Sequence, residues 1–477
     1  MNALRNQNSV AAELFLNQAY KLDPKSIDVL RLLGIYEVQR KDYDKALTLF
    51  KKAFKNAPKN ALLASNIGNV YLEQKHFLRA LEFYEKAISL DVNYAEAYSN
   101  KGNVLQELNR YPEAIVSYDQ AIQLDPMDAK TYVNKGNALL ESGQLTDAIQ
   151  AYDDAIQLQP DHYLAYWHKS LALLLSGNLE DGFSLYESRW GNGDEFKFSG
   201  VRRGFTEKLW LGEESLQGKT ILIYCEQGLG DALQFARYVE LVAQLGAKVI
   251  LEAPKSLNEV FSNLSGVSQI INRGNNLPEF DFYCPIISLP FAFKTNLNSI
   301  PSKSAYFKAD MNKVEDWVKK LGPKTKPRIG IAWSSTSNFK NDAKRSLSLS
   351  EFLVALPDKG YEYVCLQKEI KDCDKETLAS HGDIRFFGDD LQSFGDTAAL
   401  IECVDLVIST CTSIPHLSAS LGKETWILLS FIPDWRWLLN REDSPWYPSV
   451  KLFRQDKLNN WDGVLTRVRA SLEKGIS

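Results

Sequence analysis

The chain has 477 residues, more than one ordinary domain, and its length predicts about three units, each able to bury a core. Its 55 basic and 60 acidic residues give a net charge of -5, so it lacks the cationic surplus that neutralises a nucleic-acid backbone, and nucleic acid is not an expected partner. No run of about 18 apolar residues occurs, and MNALRNQNSVAAELF lacks a basic start followed by an apolar core. Neither a membrane span nor a secretory leader is therefore expected. Cys225, Cys284, Cys365, Cys373, Cys403 and Cys411 form no C-x-x-C pair and read as buried free thiols of a cytoplasmic protein.

The first half is periodic. Gly34, Gly68, Gly102 and Gly136 are evenly spaced, and each is followed at fixed offsets by an alanine (Ala46, Ala80, Ala114, Ala148), an aromatic (Phe50, Tyr84, Tyr118, Tyr152) and a second alanine (Ala53, Ala87, Ala121, Ala155). Small residues let paired helices approach, the ring fills the gap, and Pro58, Pro126 and Pro160 close three units because proline cannot donate an amide. The pattern resembles the tetratricopeptide repeat over residues 1–196: a half repeat through Pro24, four full repeats, and a degenerate cap. In the cap Ser170, Gly182 and Arg189 replace the small consensus residues.

Asn66, Asn100 and Asn134 recur at the same spacing, each followed three residues later by Asn69, Asn103 or Asn137 on one helix face. In tetratricopeptide superhelices this face looks into the concave groove, and the chain resembles protein O-GlcNAc transferases in carrying an asparagine ladder there. A carboxamide both donates and accepts, matching a peptide bond whatever its side chain. The expected partner is an extended protein or peptide acceptor; the competing reading has the asparagines tie neighbouring repeats together.

A linker is expected over 197–218. Beyond it, short apolar runs alternate with helical segments, as in parallel sheets. TILIYC, KVILEA, QIIN and DFYCPI form a first Rossmann-like lobe, 219–312. After LGPKTKPR, the runs RIGIAWS, YEYVCLQ, IRFFG, DLVIST, TWILLS and VKLFR form a second, 327–477. The fold class is therefore α + α/β, an α-solenoid followed by a two-lobed double Rossmann-like domain. Such sheets bind ligands beyond the carboxyl ends of their strands. After the first strand, Gly228-Leu229-Gly230 supplies two glycines of a dinucleotide fingerprint and Glu252 stands where a ribose-binding acid would. Leu233 replaces the third glycine and opposes that reading. In the second lobe, Thr412 and Ser413 cap a helix whose dipole favours an anion, with Lys340, Lys344 and Arg345 in a nearby loop and Gln367 and Lys368 at another strand end.

EQGLGDALQFARY, WSS...KNDAKRS and STCTSIPHLSASLGK together resemble the signature segments of the heptosyltransferase-like glycosyltransferases, family 9 with the GT-B fold, over residues 219–470. Repeats followed by such a domain, with the junction YESRW and the tail DWRWLLNREDSPWYP, resemble bacterial repeat-containing glycosyltransferases, flagellin-modifying enzymes among them. The resemblance implies an inverting transfer from a nucleotide sugar, with no metal and no cofactor. It makes the first lobe the acceptor lobe with Asp231 as general base, and the second the donor lobe, with Trp333, Ser334, Ser335, Lys340, Lys344, Arg345, Gln367, Lys368, Cys411, Thr412, Ser413 and His416 around the donor. Asp231 as a helix cap and His416 as a loop pin are the structural alternatives. The aromatic residues Trp435, Trp437, Trp446 and Tyr447 suit either packing or an acceptor-sugar site. Three positions depart from the family pattern: Cys411 replaces an aspartate, Ser335 a glycine, and Glu424 a proline, the last expected to add charge near the ligand-bearing end. A non-catalytic scaffold is the alternative function.

Overall fold

The computed structural model describes residues 9–191, 203–335 and 342–476. The chain divides into two compact units, residues 1–169 and 170–477. No helix among the described residues is long and apolar enough to cross a membrane.

The first unit opens with a single helix, α1 (Ser9–Leu22). Four pairs follow: α2 (Ile27–Gln39) with α3 (Tyr43–Asn56), α4 (Ala61–Glu73) with α5 (Phe77–Leu90), α6 (Ala95–Glu107) with α7 (Tyr111–Leu124), and α8 (Ala129–Glu141) with α9 (Leu145–Leu158). These are the expected half repeat and four full repeats. Polar caps start several helices: the side chains of Ser26, Asp42, Asn60 and Asp128 each accept a first-turn amide. The repeat glycine is dictated by packing. A Cβ at Gly34 would stand 2.5 Å from Phe50 Cε1, and one at Gly68 would stand 2.8 Å from Tyr84 Cε1. The repeat alanines and these aromatic rings form the core between helices.

Helix α10 (Tyr163–Ser176), within which the two units divide, and α11 (Leu179–Tyr186) form the degenerate cap repeat. The second helix of that repeat sorts with the second unit. Phe183 of α11 meets Trp435 edge-on with centroids 5.6 Å apart, and Trp446 at 6.4 Å. The expected linker likewise contains structure: β1 (Lys208–Leu209) pairs with β5, and Trp210, 2 % exposed, is buried beside it. A two-residue edge strand carries too little alternation for periodicity to reveal.

The second unit holds two parallel sheets. The first comprises β1, β2 (Thr220–Tyr224), β3 (Lys248–Ala253), β4 (Val267–Asn272) and β5 (Phe282–Pro285) in the order β1-β5-β2-β3-β4. The second comprises β6 (Arg328–Ala332), β7 (Glu362–Cys365), β8 (Ile384–Phe386), β9 (Leu406–Thr410), β10 (Thr425–Leu429) and β11 (Val450–Arg454) in the order β11-β10-β9-β6-β7-β8. All ten apolar runs named above are strands. In the first sheet β3 and β4 add to one side of β2, and β5 with the edge strand β1 to the other; in the second β7 and β8 add to one side of β6 and β9, β10 and β11 to the other, so the chain order reverses beside β2 and beside β6. Open α/β sheets leave a crevice at the carboxyl ends of such strands. Lys313, on the helix Met311–Leu321 that joins the sheets, bonds Glu259 from the first half and Asp396 from the second, the latter at 2.8 Å.

Cys225, Cys284 and Cys365 are buried as expected, whereas Cys373 is exposed and Cys403 and Cys411 are half-buried. Cys373 differs because its helix, DCDKETLAS, is mostly polar.

Packing at the repeat glycines is testable. Tyr118 is fully buried and its hydroxyl is bonded to Asn103 and Gln106, so its ring has nowhere to move when a methyl group is placed at Gly102. Gly102→Ala is expected to destabilise the array by about 1–3 kcal/mol. Urea unfolding followed by helical circular dichroism measures this; an unchanged midpoint contradicts the packing account.

Candidate functional site

The chain leaves β2 at its switch point and enters the loop Cys225–Gly228, which leads into α12 (Leu229–Phe235) with Gly228 as N-cap. Asp231 is the third residue of α12. Its Oδ2 accepts the Gly228 amide at 2.9 Å, which is the capping role, and its Oδ1 pairs with Arg436 from the other half of the unit. Gly230 is set by packing. A Cβ there would lie 3.1 Å from His416 Cδ2 and 3.7 Å from Ser413 Cα, so the missing side chain lets the two helix starts meet. Glu252 is also committed: it is 2 % exposed, pairs with Arg203 at 2.9 Å and accepts the Gly274 amide at 3.4 Å. Its carboxylate is spent inside the protein, against the dinucleotide reading.

The same loop is anchored by the cap repeat. Tyr186 and Arg189 occupy the register positions that hold Tyr152 and Ala155 one repeat earlier. In the full repeats the tyrosine hydroxyl bonds an asparagine of its own repeat. In the cap that asparagine is Leu171, and the Tyr186 hydroxyl bonds Gln227 Oε1 at 3.2 Å. Arg189 is buried, with its guanidinium at 2.6 Å from Ser288 Oγ, 2.5 Å from Glu187 Oε1 and 3.3 Å from Glu226 Oε1. Glu226 also accepts the amides of Ile286 and Ile287 at 3.0 and 3.3 Å. Two carboxylates thus share one guanidinium. Burial outweighs the attraction of Arg189 and pushes the Glu226 carboxyl up to about 7.

In the second sheet the switch point lies between β6 and β9. Trp333 and Ser334 follow β6 as buried residues; their amides donate to Gln367 Oε1 at 2.7 and 3.1 Å, and the Trp333 indole donates to buried Asp374 at 2.8 Å. The Gln367 side chain therefore braces two strand ends. The Ser335 amide donates to Ser346 Oγ at 3.3 Å. Lys344 and Arg345 sit in the short helix Asp342–Arg345, and Lys368 is exposed just beyond β7. Lys340 lies outside the described residues.

After β9, Cys411 leads into α13 (Ser413–Ser420), whose N-cap Thr412 accepts the Ile414 amide at 3.3 Å. The Cys411 sulfur accepts the Trp437 indole at 3.1 Å, and burial, reinforced by Asp434, pushes its thiol up to about 11. His416 is 4 % exposed, stacks on Trp437 with centroids 5.1 Å apart and bonds Tyr447 through Nδ1 at 3.0 Å. Burial is the main cause holding its imidazole down at about 3, so it is neutral. This is the loop-pinning role. Trp435, Trp437, Trp446 and Tyr447 are all at most 5 % exposed and pack the interior. Glu424 corrects the sequence reading. It precedes the first residue of β10, so it lies at the amino end of this parallel sheet, away from the ligand-bearing end, where it accepts the Trp426 indole at 2.9 Å.

In the first unit, the asparagines do tie repeats. Asn100 and Asn134 donate to the Oδ1 of Asn69 and Asn103 at 3.3 and 3.0 Å. The hydroxyls of Tyr84, Tyr118 and Tyr152 donate to the Oδ1 of Asn69, Asn103 and Asn137 at 2.6, 2.8 and 2.8 Å. Where the register has Ile35 instead of asparagine, Phe50 replaces tyrosine and the Asn66 amide nitrogen is buried without a partner. A carboxamide offers two donor hydrogens and two lone pairs. The side-chain oxygens of Asn100 and Asn134 and the amide nitrogens of Asn69, Asn103 and Asn137 remain half-buried with capacity to spare.

Sequence reasoning missed Arg436, which lies 205 residues from Asp231 in the chain. It also missed Glu226, Gln227 and Asp374. The register of the repeats could have singled out Tyr186 and Arg189, because a hydroxyl without its asparagine and a cation in an alanine slot both require partners.

Models of the tetratricopeptide repeat match residues 3–61, 37–104, 102–143 and 133–192, so repeats occupy the N-terminal region. Protein FlbA of Caulobacter vibrioides is 28 % identical over 321 residues, 60 % of this chain and 51 % of that protein; the chain spans about half the length of that relative. Among solved structures, MamA aligns at 26 % identity over 32 % of this chain and 91 % of its own, with a TM-score of 0.31. Pseudomonas aeruginosa pilF aligns at 19 % identity over 41 % and 90 %, with a TM-score of 0.36.

The buried Glu226 site makes stability depend on pH. Its folded value, about 7, lies above its ordinary 4.5, so the stability it contributes is full below 4.5 and lost as pH rises through 7. Thermal melts from pH 4.5 to 8 should show a declining midpoint that Glu226→Gln flattens. An identical decline in the variant would contradict the assignment.

Proposed function

We propose that the protein is a glycosyltransferase of GT-B type that moves a sugar from a nucleotide-sugar donor to an acceptor, a protein segment held by the repeats. One observation carries this reading: Asp231, at the switch point of the first sheet, and the N-terminus of α13, at the switch point of the second, lie against each other across the crevice, in contact at Gly230 and His416. That places a carboxylate beside a helix start suited to an anion, the pairing that transfer from a nucleoside diphosphate requires.

In this reading Asp231 takes the proton of an acceptor hydroxyl as its oxygen attacks the anomeric carbon. The bond from that carbon to the diphosphate oxygen breaks with inversion, and the electron pair leaves with the diphosphate. The amide end of α13 with Lys344 and Arg345 steadies the leaving charge. The spare donor and acceptor capacity along the asparagine face supports recruitment of an extended polypeptide, since alternating peptide groups match it.

A second reading is favoured by Cys411. Its thiol stands where the resembled family has a carboxylate and is occupied by the Trp437 indole, so the unit would serve as a repeat-bearing scaffold without catalysis.

Purified protein screened against nucleotide sugars separates the two. Transfer or donor hydrolysis that falls at least about 100-fold in Asp231→Asn supports the transferase and its base. Turnover that survives Asp231→Asn removes the base, and a nucleoside diphosphate that fails to bind at millimolar concentration leaves the scaffold. Replacing Asn66, Asn100 and Asn134 together by alanine is expected to reduce transfer to a polypeptide while sparing donor hydrolysis; equal loss of both would contradict the groove's role.

A further inference from the structure

The segment after β10 carries an arrangement that the sequence motifs do not. Asp434 caps the turn Trp435–Trp437, and its carboxylate receives Arg436 Nη1 at 2.8 and 3.0 Å. The other arm of the same guanidinium, Nη2, reaches across the crevice to Asp231 Oδ1. The Arg436 side chain is 9 % exposed and lies over the Trp435 ring at 4.3 Å, which is held by Phe183 and Phe235. A guanidinium clamped flat on a buried ring has little freedom to choose another partner, and its planar fork lets one cation serve two carboxylates.

The charges decide what this does. Two carboxylates face one guanidinium; the Asp231 side chain is 20 % exposed and that of Asp434 38 %. Among the described residues, the other polar groups near Asp231 include Tyr186 from α11, neutral His416 from α13, Cys225 of its own loop, and the Gly228 amide. Asp434 holds Nη1 between its two oxygens, also accepts the Arg436 backbone amide at 3.0 Å, and is held below its ordinary value, Arg436 outweighing desolvation. Asp231 receives a single arm and is held above its own, burial outweighing Arg436.

We infer that Arg436 is the positioning residue for Asp231: fixed by Asp434 and the Trp435 ring, it holds the carboxylate in place beside α13 with one arm of its fork and tunes its hold on a proton. This inference rests on the transferase reading. Without the cation a half-buried Asp231 would hold a proton more tightly and be a poorer base in its resting state; a stronger hold by the cation would make it a weaker acceptor of one. When Asp231 takes the acceptor proton, Arg436 still has Asp434 as a partner, so the guanidinium is not left unpaired.

The test uses the full chain labelled with carbon-13 at aspartate Cγ, the Asp231 resonance being identified by its absence in Asp231→Asn. Arg436→Met should raise the Asp231 titration midpoint by about one pH unit or more, and Arg436→Lys should restore part of the shift. In transfer assays the acid limb of the pH profile should move upward by the same amount, with kcat at neutral pH reduced about tenfold, KM little changed, and activity regained at higher pH. An Asp231 midpoint that stays in place in folded Arg436→Met overturns the inference, as does a kcat loss that no rise in pH repairs. If the native chain turns over no donor at all, the transferase reading fails, and the resonance titration still decides whether Arg436 governs Asp231.

Discussion

The buried guanidinium of Arg189 fixes the loop on which the candidate site is built. It stands where a repeat would place alanine, and it is satisfied by Glu226, Glu187 and Ser288, the first of these in the loop that leads to Asp231. Removing one partner of a buried ion pair costs about 3–5 kcal/mol, a large part of the roughly 5–15 kcal/mol that holds a domain together. The loop cannot drift far while this network is intact. Tyr186 adds a second tether one residue along, to Gln227. The second helix of the last repeat thus forms one wall of the α/β unit, with which it sorts.

A second consequence concerns the opposing half. Helix starts α12 and α13 meet because Gly230 leaves room for His416, and Arg436 closes the same boundary by pairing with Asp231. His416 holds this contact as a neutral, stacked ring, so the meeting of the two helices is set by packing, with Arg436 pairing Asp231 beside it. Any donor bound at α13 would find the carboxylate already oriented, with both of its oxygens engaged from the rear by an amide and a guanidinium. Preorganisation of this kind lowers the reorganisation needed during reaction.

Much of this architecture was legible in the sequence. The even spacing of Gly34, Gly68, Gly102 and Gly136 is a direct imprint of ring-on-backbone packing, so the helices followed from it. Every long apolar run became a strand because a parallel sheet buried on both faces requires such runs. What was illegible depended on partners distant in the chain. Nothing near Arg436 announces Asp231, and the two-residue β1 has no pattern to read. Cys373 looked like its buried fellows until its helix proved polar. Asp231, Thr412 and His416 were singled out by motif and do converge, but Gln367 and Trp333 brace strand ends, and Glu424 sits at the opposite end of the sheet. The asparagine spacing fits both a binding face and a tie between repeats, and the structure shows the tie at Asn69–Asn100 and Asn103–Asn134.

The central claim is that a diphosphate belongs at the second sheet's switch point, facing Asp231, and not in the glycine turn of the first. A crystal structure of the full chain with a nucleoside diphosphate tests it most directly. The account predicts the phosphates at the amide end of α13, within reach of Arg345, with the Asp231 carboxylate across the crevice. Phosphates seated on Gly228 and Gly230, or a crevice that stays without nucleotide at millimolar concentration, would contradict it.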